Sequence, residues 1–230
     1  MAGGVSRVMS QSAKRIEIFA PELDKIIAPS EPIQELAEGF GGPLGPAEGP
    51  LWWKEGRHLL FSDIHNNKRL KYVPSQGVSL VQEPTNRANG LTRDLQGRLL
   101  ACEHDSRRVT RQELDGSLTV LANSFQGRRL NRPNDVVVKS DGAIYFTDPW
   151  TNPLPQEQWD LTFAGVYRLT PDLGTFTLLI DDFVLPNGLA FSPDEQILYI
   201  NDTRRRHIRA FDLLPSGTLA KQSVSKDRGC

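Results

Sequence analysis

The chain has 230 residues, 38% of them hydrophobic, and a formal net charge of −1 from 27 Lys and Arg against 28 Asp and Glu. That length suits one sizeable domain with a real core, and the balanced charge excludes bulk electrostatic recruitment of nucleic acid or an anionic membrane. Two cysteines, Cys102 and Cys230, make neither a disulfide framework nor a CxxC metal site, and no run approaches the ~20 apolar residues of a membrane helix, so a cytoplasmic protein is expected, with the periplasm left open.

Residues 1–30 read as a polar, partly disordered tail, with weak helical periodicity near Ala20 to Ile27; residues 31–230 read as one β-rich domain. Ile33 to Phe40 is a strand candidate, and Gly41, Gly42, Pro43, Gly45 and Pro46 form a turn-rich approach to Glu48. From there a unit recurs four times: a polar residue, Gly or Asp, an apolar run, a turn, and a second apolar run closing on an acid or His. The copies run from Glu48 to Asp63, Asn89 to His104, Asn134 to Asp148 and Asn187 to Asp202, with spacings of 15, 15, 14 and 15 and steps between copies of 41, 45 and 53. Turn signals at Lys54-Glu55-Gly56, Gln96-Gly97, Asp141-Gly142 and Pro193-Asp194 divide each copy. Third strands are expected at Arg69 to Val73, Arg108 to Glu113, Gly165 to Leu169 and His207 to Leu213, and outer strands at Leu118 to Ala122 and Phe176 to Ile180. A period near 45 built from short apolar runs predicts an all-β propeller, each copy one blade.

Equivalent positions of radial blades face a common axis, so Glu48, Asn89, Asn134 and Asn187 are expected to converge. One carboxylate among amide oxygens is hard-cation chemistry. The four His form no HExxH or HxH pair, and neither a GxSxG elbow nor a GxxxxGK[ST] loop occurs. A plainer reading stands beside this: Asn-Gly and Asn-Asp are turn formers, and Asp63, Asp148 and Asp202 could serve only to bind a neighbouring blade's backbone N–H. Trp52 and Trp53 read as blade packing, and Arg128-Arg129 and Arg204-Arg205-Arg206 as solvated turns. The Pro-rich insertion from Pro149 to Asp160 is either a lid or inert decoration.

The segments Ala47-Glu48-Gly49-Pro50-Leu51-Trp52, Leu60-Phe61-Ser62-Asp63-Ile64, Asn131-Arg132-Pro133-Asn134-Asp135-Val136, Ile144-Tyr145-Phe146-Thr147-Asp148-Pro149 and Leu185-Pro186-Asn187-Gly188-Leu189-Ala190-Phe191-Ser192 resemble the SMP-30/gluconolactonase/LRE-like family, bacterial gluconolactonases most of all, over residues 33–220. The resemblance implies a six-bladed β-propeller of which about four blades are present. It implies a central divalent cation, Ca²⁺ with Mg²⁺, Mn²⁺ or Zn²⁺ as alternatives, and hydrolysis of a sugar lactone. By motif, Glu48, Asn134 and Asn187 match metal ligands, and Asn89, His104, Arg132 and Asn134 match positions lining the substrate pocket. The family's fourth ligand and general base, an aspartate in a PDG-type segment of the next blade, has no counterpart here and is expected beyond Cys230, so this form is expected to bind metal weakly and hydrolyse little. A phosphotriesterase on the same scaffold, or a calcium- or ligand-binding propeller without activity, remain the alternatives.

Overall fold

Short runs rich in Val, Ile, Leu and aromatics, cut by Gly, Asp and Asn turns, have no length for helix but suit four-stranded antiparallel meanders. The computed structural model describes residues 16–150 and 158–220. The chain divides between Glu38 and Gly39. In the first part a short 3₁₀ turn, Pro21–Lys25, stands where weak helical periodicity is expected. The expected strand at Ile33 to Phe40 does not form, and Ile33 and Leu36 stay exposed.

The second part contains four blades arranged as a β-propeller. Blade one is β1 (Glu48–Trp53), β2 (His58–Asp63), β3 (Lys68–Val73) and β4 (Gly77–Gln82), paired in that order. Blade two is β5 (Ala88–Arg93), β6 (Leu99–Glu103), β7 (Arg108–Gln112) and β8 (Leu118–Ala122). A two-stranded ribbon, β9 (Ser124–Phe125) with β10 (Arg128–Arg129), leads to blade three: β11 (Val136–Val138), β12 (Ile144–Asp148), β13 (Ala164–Leu169) and β14 (Phe176–Phe183). Blade four pairs β15 (Pro186–Phe191), β16 (Ile197–Asp202) and β17 (His207–Asp212), with an isolated bridge between Leu213 and Leu219. The strand β4 escapes the sequence pattern because its adjacent Leu80 and Val81 are both exposed instead of alternating inward and outward. Trp52 is 53% exposed, so only Trp53 packs as expected.

The core lies between the blades. Side chains alternate across a strand, and β12 shows the consequence. Its Ile144 and Phe146 join Leu100, Cys102 and Val109 of blade two, whereas Tyr145 joins Leu189, Leu198 and Ile200 of blade four. A smaller layer of Leu60, Ala88, Leu91, Leu99 and Ala101 fills the seam between blades one and two. Stacking of this kind fixes the order of blades and holds their first strands side by side. No helix of the described residues is long and apolar enough to cross a membrane.

Candidate functional site

Glu48, Asn89 and Asn187 sit at the start of β1, β5 and β15, Asn134 stands two residues before β11, and direct bonds tie each of these openings to the next. Ser62 Oγ donates to the Asn89 carbonyl at 2.7 Å, Gly90 N–H to the Asn134 carbonyl at 2.8 Å, and Thr147 Oγ1 to the Asn187 carbonyl at 2.7 Å. In β1, β5 and β15 the register shifts immediately after this point, between Glu48 and Leu51, Ala88 and Leu91, and Pro186 and Leu189. A bulge re-aims side chains without ending the pairing.

The turn-former reading of the Asn-Gly pairs does not hold. Asn89-Gly90 and Asn187-Gly188 lie inside β5 and β15. Glycine serves closeness instead: a Cβ on Gly49 would sit 2.2 Å from the Asn89 carbonyl, and one on Gly90 2.6 Å from Asp135 Cα.

The closing acids hold the chain leading into their own blade, not the neighbouring one. Asp63 accepts from Gly41 N–H and the Asn66 amide, Asp148 from Asn131 N–H, and Asp202 from the N–H groups of Val184, Leu185, Arg204 and Arg205. In blade two this role falls to Glu103, which accepts from the Asn86 amide, Ser106, Arg108 and Thr110. The second copy therefore closes on Glu103 and not on His104, and its spacing becomes 14. The signal was present: Ser106 follows Glu103 by three, as Asn66 follows Asp63.

His104 is thereby released to face the blade openings. Its Nε2 lies 3.4 Å from Asn89 Nδ2, and both residues are buried. Burial, then the nearby charges of Arg132, His65 and Arg87, lowers its pKa to about 3, so the ring is neutral at physiological pH. Three predicted pocket residues, Asn89, His104 and Arg132, thus share one neighbourhood, and Asn134 adjoins them through its carbonyl bond to Gly90.

Asn134 and Asn187 border this row through their carbonyls, which accept from Gly90 N–H and Thr147 Oγ1, and Gly49, next to Glu48, packs against the Asn89 carbonyl. The Glu48 carboxyl is pushed above its usual range by burial and then by the charge of Asp135. Asp135, which sequence reasoning did not single out, is itself raised by burial, against the N–H groups of Val136 and Leu189 that it accepts from at 2.9 and 3.3 Å. Beside it, Asn201 Oδ1 is buried without a hydrogen-bond partner; Asp135 Oδ2 and Asn201 Oδ1 lie 3.7 and 3.8 Å from where a Gly188 Cβ would stand. Two carboxylates raised by burial, of which Asp135 lies near an unsatisfied amide oxygen, fit a hard divalent cation, which binds through oxygen and relieves such repulsion. Among the described residues no three His, Cys, Asp or Glu gather into a cluster; the expected donors are amide oxygens with one carboxylate.

The model of the SMP-30/Gluconolactonase/LRE-like region matches residues 46–228. The chain belongs to this family. A gluconolactonase from Zymomonas mobilis is 33% identical over 208 residues, 83% of this chain and 57% of its own length. The structure of a gluconolactonase from Xanthomonas campestris aligns with a TM-score of 0.69 at 37% identity, covering 77% of this chain and 61% of that one. Regucalcin from Agrobacterium tumefaciens, described as a calcium-binding protein, shares the fold at a TM-score of 0.60 and 19% identity, over 76% of this chain and 57% of its own. The chain thus spans about three fifths of the length of these family members. The insertion read as either a lid or inert decoration, Pro149 to Asp160, falls largely on residues 151–157, outside the described residues. At its far end Trp159 is buried, with the Arg107 guanidinium 5.1 Å from its ring centre and paired to Asp160 at 2.8 Å.

Proposed function

We propose that the row of blade openings is a sugar-lactone hydrolase site whose divalent cation, best matched by Ca²⁺, is held by Glu48, Asn134 and Asn187. The observation that carries this reading is the half-buried Glu48 carboxyl beside the charge of Asp135, a repulsion that a cation held between or beside the two groups relieves. When bound, the ion supplies Lewis-acid polarisation of a lactone carbonyl. The chain's own side chains orient the substrate. Arg132 offers hydrogen bonds to sugar hydroxyls, the Asn89 amide to the ring or carbonyl oxygen, and His104, neutral at pH 7, contacts the substrate without adding charge. Burial of Asn89, Asn134 and His104 keeps bulk water from competing for these contacts. The general base is not assigned among these residues. Because the chain spans 57% of the Zymomonas enzyme, the proposal for the 230-residue form is weak metal binding and little turnover, with full activity in a chain of the relatives' length.

Assays of glucono-1,5-lactone, galactonolactone and paraoxon, on both lengths and with Ca²⁺ or EDTA, test this. We expect lactone turnover in the longer form, lost in EDTA and reduced about 100-fold or more by Glu48→Gln. Undiminished turnover in EDTA, or in Glu48→Gln, overturns the metal assignment. A preference for paraoxon makes it a phosphotriesterase, and a Ca²⁺-dependent rise in melting temperature without any turnover makes it a binding module.

A further inference from the structure

In each blade one residue stands immediately before the closing acid: Ser62, Cys102, Thr147 and Asn201 in turn. In blades one and three it carries a hydroxyl that reaches forward to the next blade. Ser62 Oγ donates to the Asn89 carbonyl and Thr147 Oγ1 to the Asn187 carbonyl, both at 2.7 Å. Cys102 offers only a weak S–H donor, and in its blade Gly90 N–H holds the Asn134 carbonyl instead.

Thr147 is fully buried, and bonds from both neighbouring openings meet on it. Its carbonyl accepts from Asn134 N–H at 2.8 Å, and its own N–H donates to the Asp135 carbonyl at 3.0 Å. Its Oγ1 accepts from Asp135 N–H at 3.1 Å while donating to the Asn187 carbonyl. A hydroxyl has one proton to give, and here that proton is committed to Asn187. Asn187 lies where the register between β15 and β16 shifts, between Pro186 and Leu189. On its far side Leu189 N–H donates to Asp135 Oδ2 at 3.3 Å. Blade three therefore grips this bulge on both sides of Asn187.

We infer that Thr147 is a positioning residue of the proposed cation site, fixing the opening of blade four at Asn187 against that of blade three at Asn134. The inference rests on the reading of those two residues as cation ligands, and Thr147 acts through them. Amide oxygens from two blades meet one ion only while their backbones keep a set separation, and groups that orient ligands govern affinity nearly as strongly as the ligands do. Ser62 makes the matching bond between blades one and two, but the residue it holds, Asn89, is not among the proposed ligands.

The test is a Ca²⁺ titration of the 230-residue chain, followed through its asparagine side-chain amides in ¹H–¹⁵N spectra, beside the melting temperature without Ca²⁺. Thr147→Val keeps the shape and removes the hydroxyl; it is expected to weaken Ca²⁺ binding about tenfold, with Thr147→Ser within about twofold of wild type. Thr147→Cys, which installs the residue that blade two uses at this place, is expected to weaken it about fivefold and replaces Val should that variant not fold. Ser62→Ala is expected to lower the melting temperature and leave Ca²⁺ affinity unchanged. Wild-type affinity in Thr147→Val, or in Thr147→Cys where Val does not fold, overturns the inference alone. So does a loss of affinity in Thr147→Ser or Ser62→Ala equal to that in Val or Cys. No saturable shift in the wild type overturns the cation reading, and this inference with it.

Discussion

Asp148 and Asp202 close the second strands of two blades, yet their surroundings push them in opposite directions. Burial raises Asp202, but the N–H groups of Val184, Arg205 and Leu185 and the Arg205 charge outweigh it, and its pKa falls below the usual carboxylate value. Asp148 is fully buried, and that burial dominates over Asn131 N–H, the Arg107 charge and Arg132 N–H, lifting its pKa from 3.8 to about 8. One of its oxygens and the Tyr167 hydroxyl are both buried without partners. Between about pH 4 and pH 8 the folded protein therefore holds a proton that the unfolded chain has released, and stability falls as pH rises through that window. Asp148→Asn keeps an acceptor for Asn131 and cannot ionise. It is expected to exceed the wild type in stability at pH 8 by on the order of 1–3 kcal/mol, with the advantage gone at pH 4. Urea unfolding at the two pH values checks this; an equal loss at both would show that the carboxylate itself is needed.

At the scale of the strand, what an Asn-Gly pair does depends on the blade beside it. Gly90 and Gly188 occupy the same place in β5 and β15, but only Gly90 lies against a neighbouring backbone. A Cβ there would meet Asp135 Cα and Oδ1 at 2.6 Å and the Asn134 carbonyl at 2.7 Å, whereas on Gly188 its nearest atom would be Asp135 Oδ2 at 3.7 Å. Gly90→Ala is therefore expected to destabilise by roughly 2–4 kcal/mol by prising blades two and three apart, and Gly188→Ala by less than about 1 kcal/mol. Thermal melts of the two variants decide it; equal losses would return both glycines to a local role. The pair was readable as strand or turn, and local propensity favoured turn, because the chain 45 residues away that forbids a side chain is invisible to it. Likewise, an acid and a histidine stood adjacent at residues 103 and 104. Which one closes the blade depends on Asn86, Ser106 and Arg108 converging on Glu103, a tertiary fact.

For the molecule as a whole, the recurring copies made the blades legible from sequence, since each copy must supply its own strands and turns. The strength of each seam was not legible, because it depends on which face of one blade meets which face of the next. Blades two and three share the richest seam, where Phe125, Phe146, Tyr167 and Phe176 form a cluster of rings 5.0 to 5.7 Å apart. The seam of blade one with blade two is thinner and is broken by an open polar pocket beside Arg69. Stacked repeats open where their neighbour interface is weakest. Hydrogen exchange is therefore expected to be slowest in β12, which is buried along its whole length, and faster in β3 and β4, whose Leu80 and Val81 are exposed. Leu60→Ala should speed exchange in blade one while leaving β12 protected, and Phe146→Ala should lower protection across blades two and three together, at a cost of roughly 3–5 kcal/mol. Uniform protection in all four blades, or loss of β12 protection in Leu60→Ala, would mean that the blades unfold as one unit and that the unequal seams do not control opening.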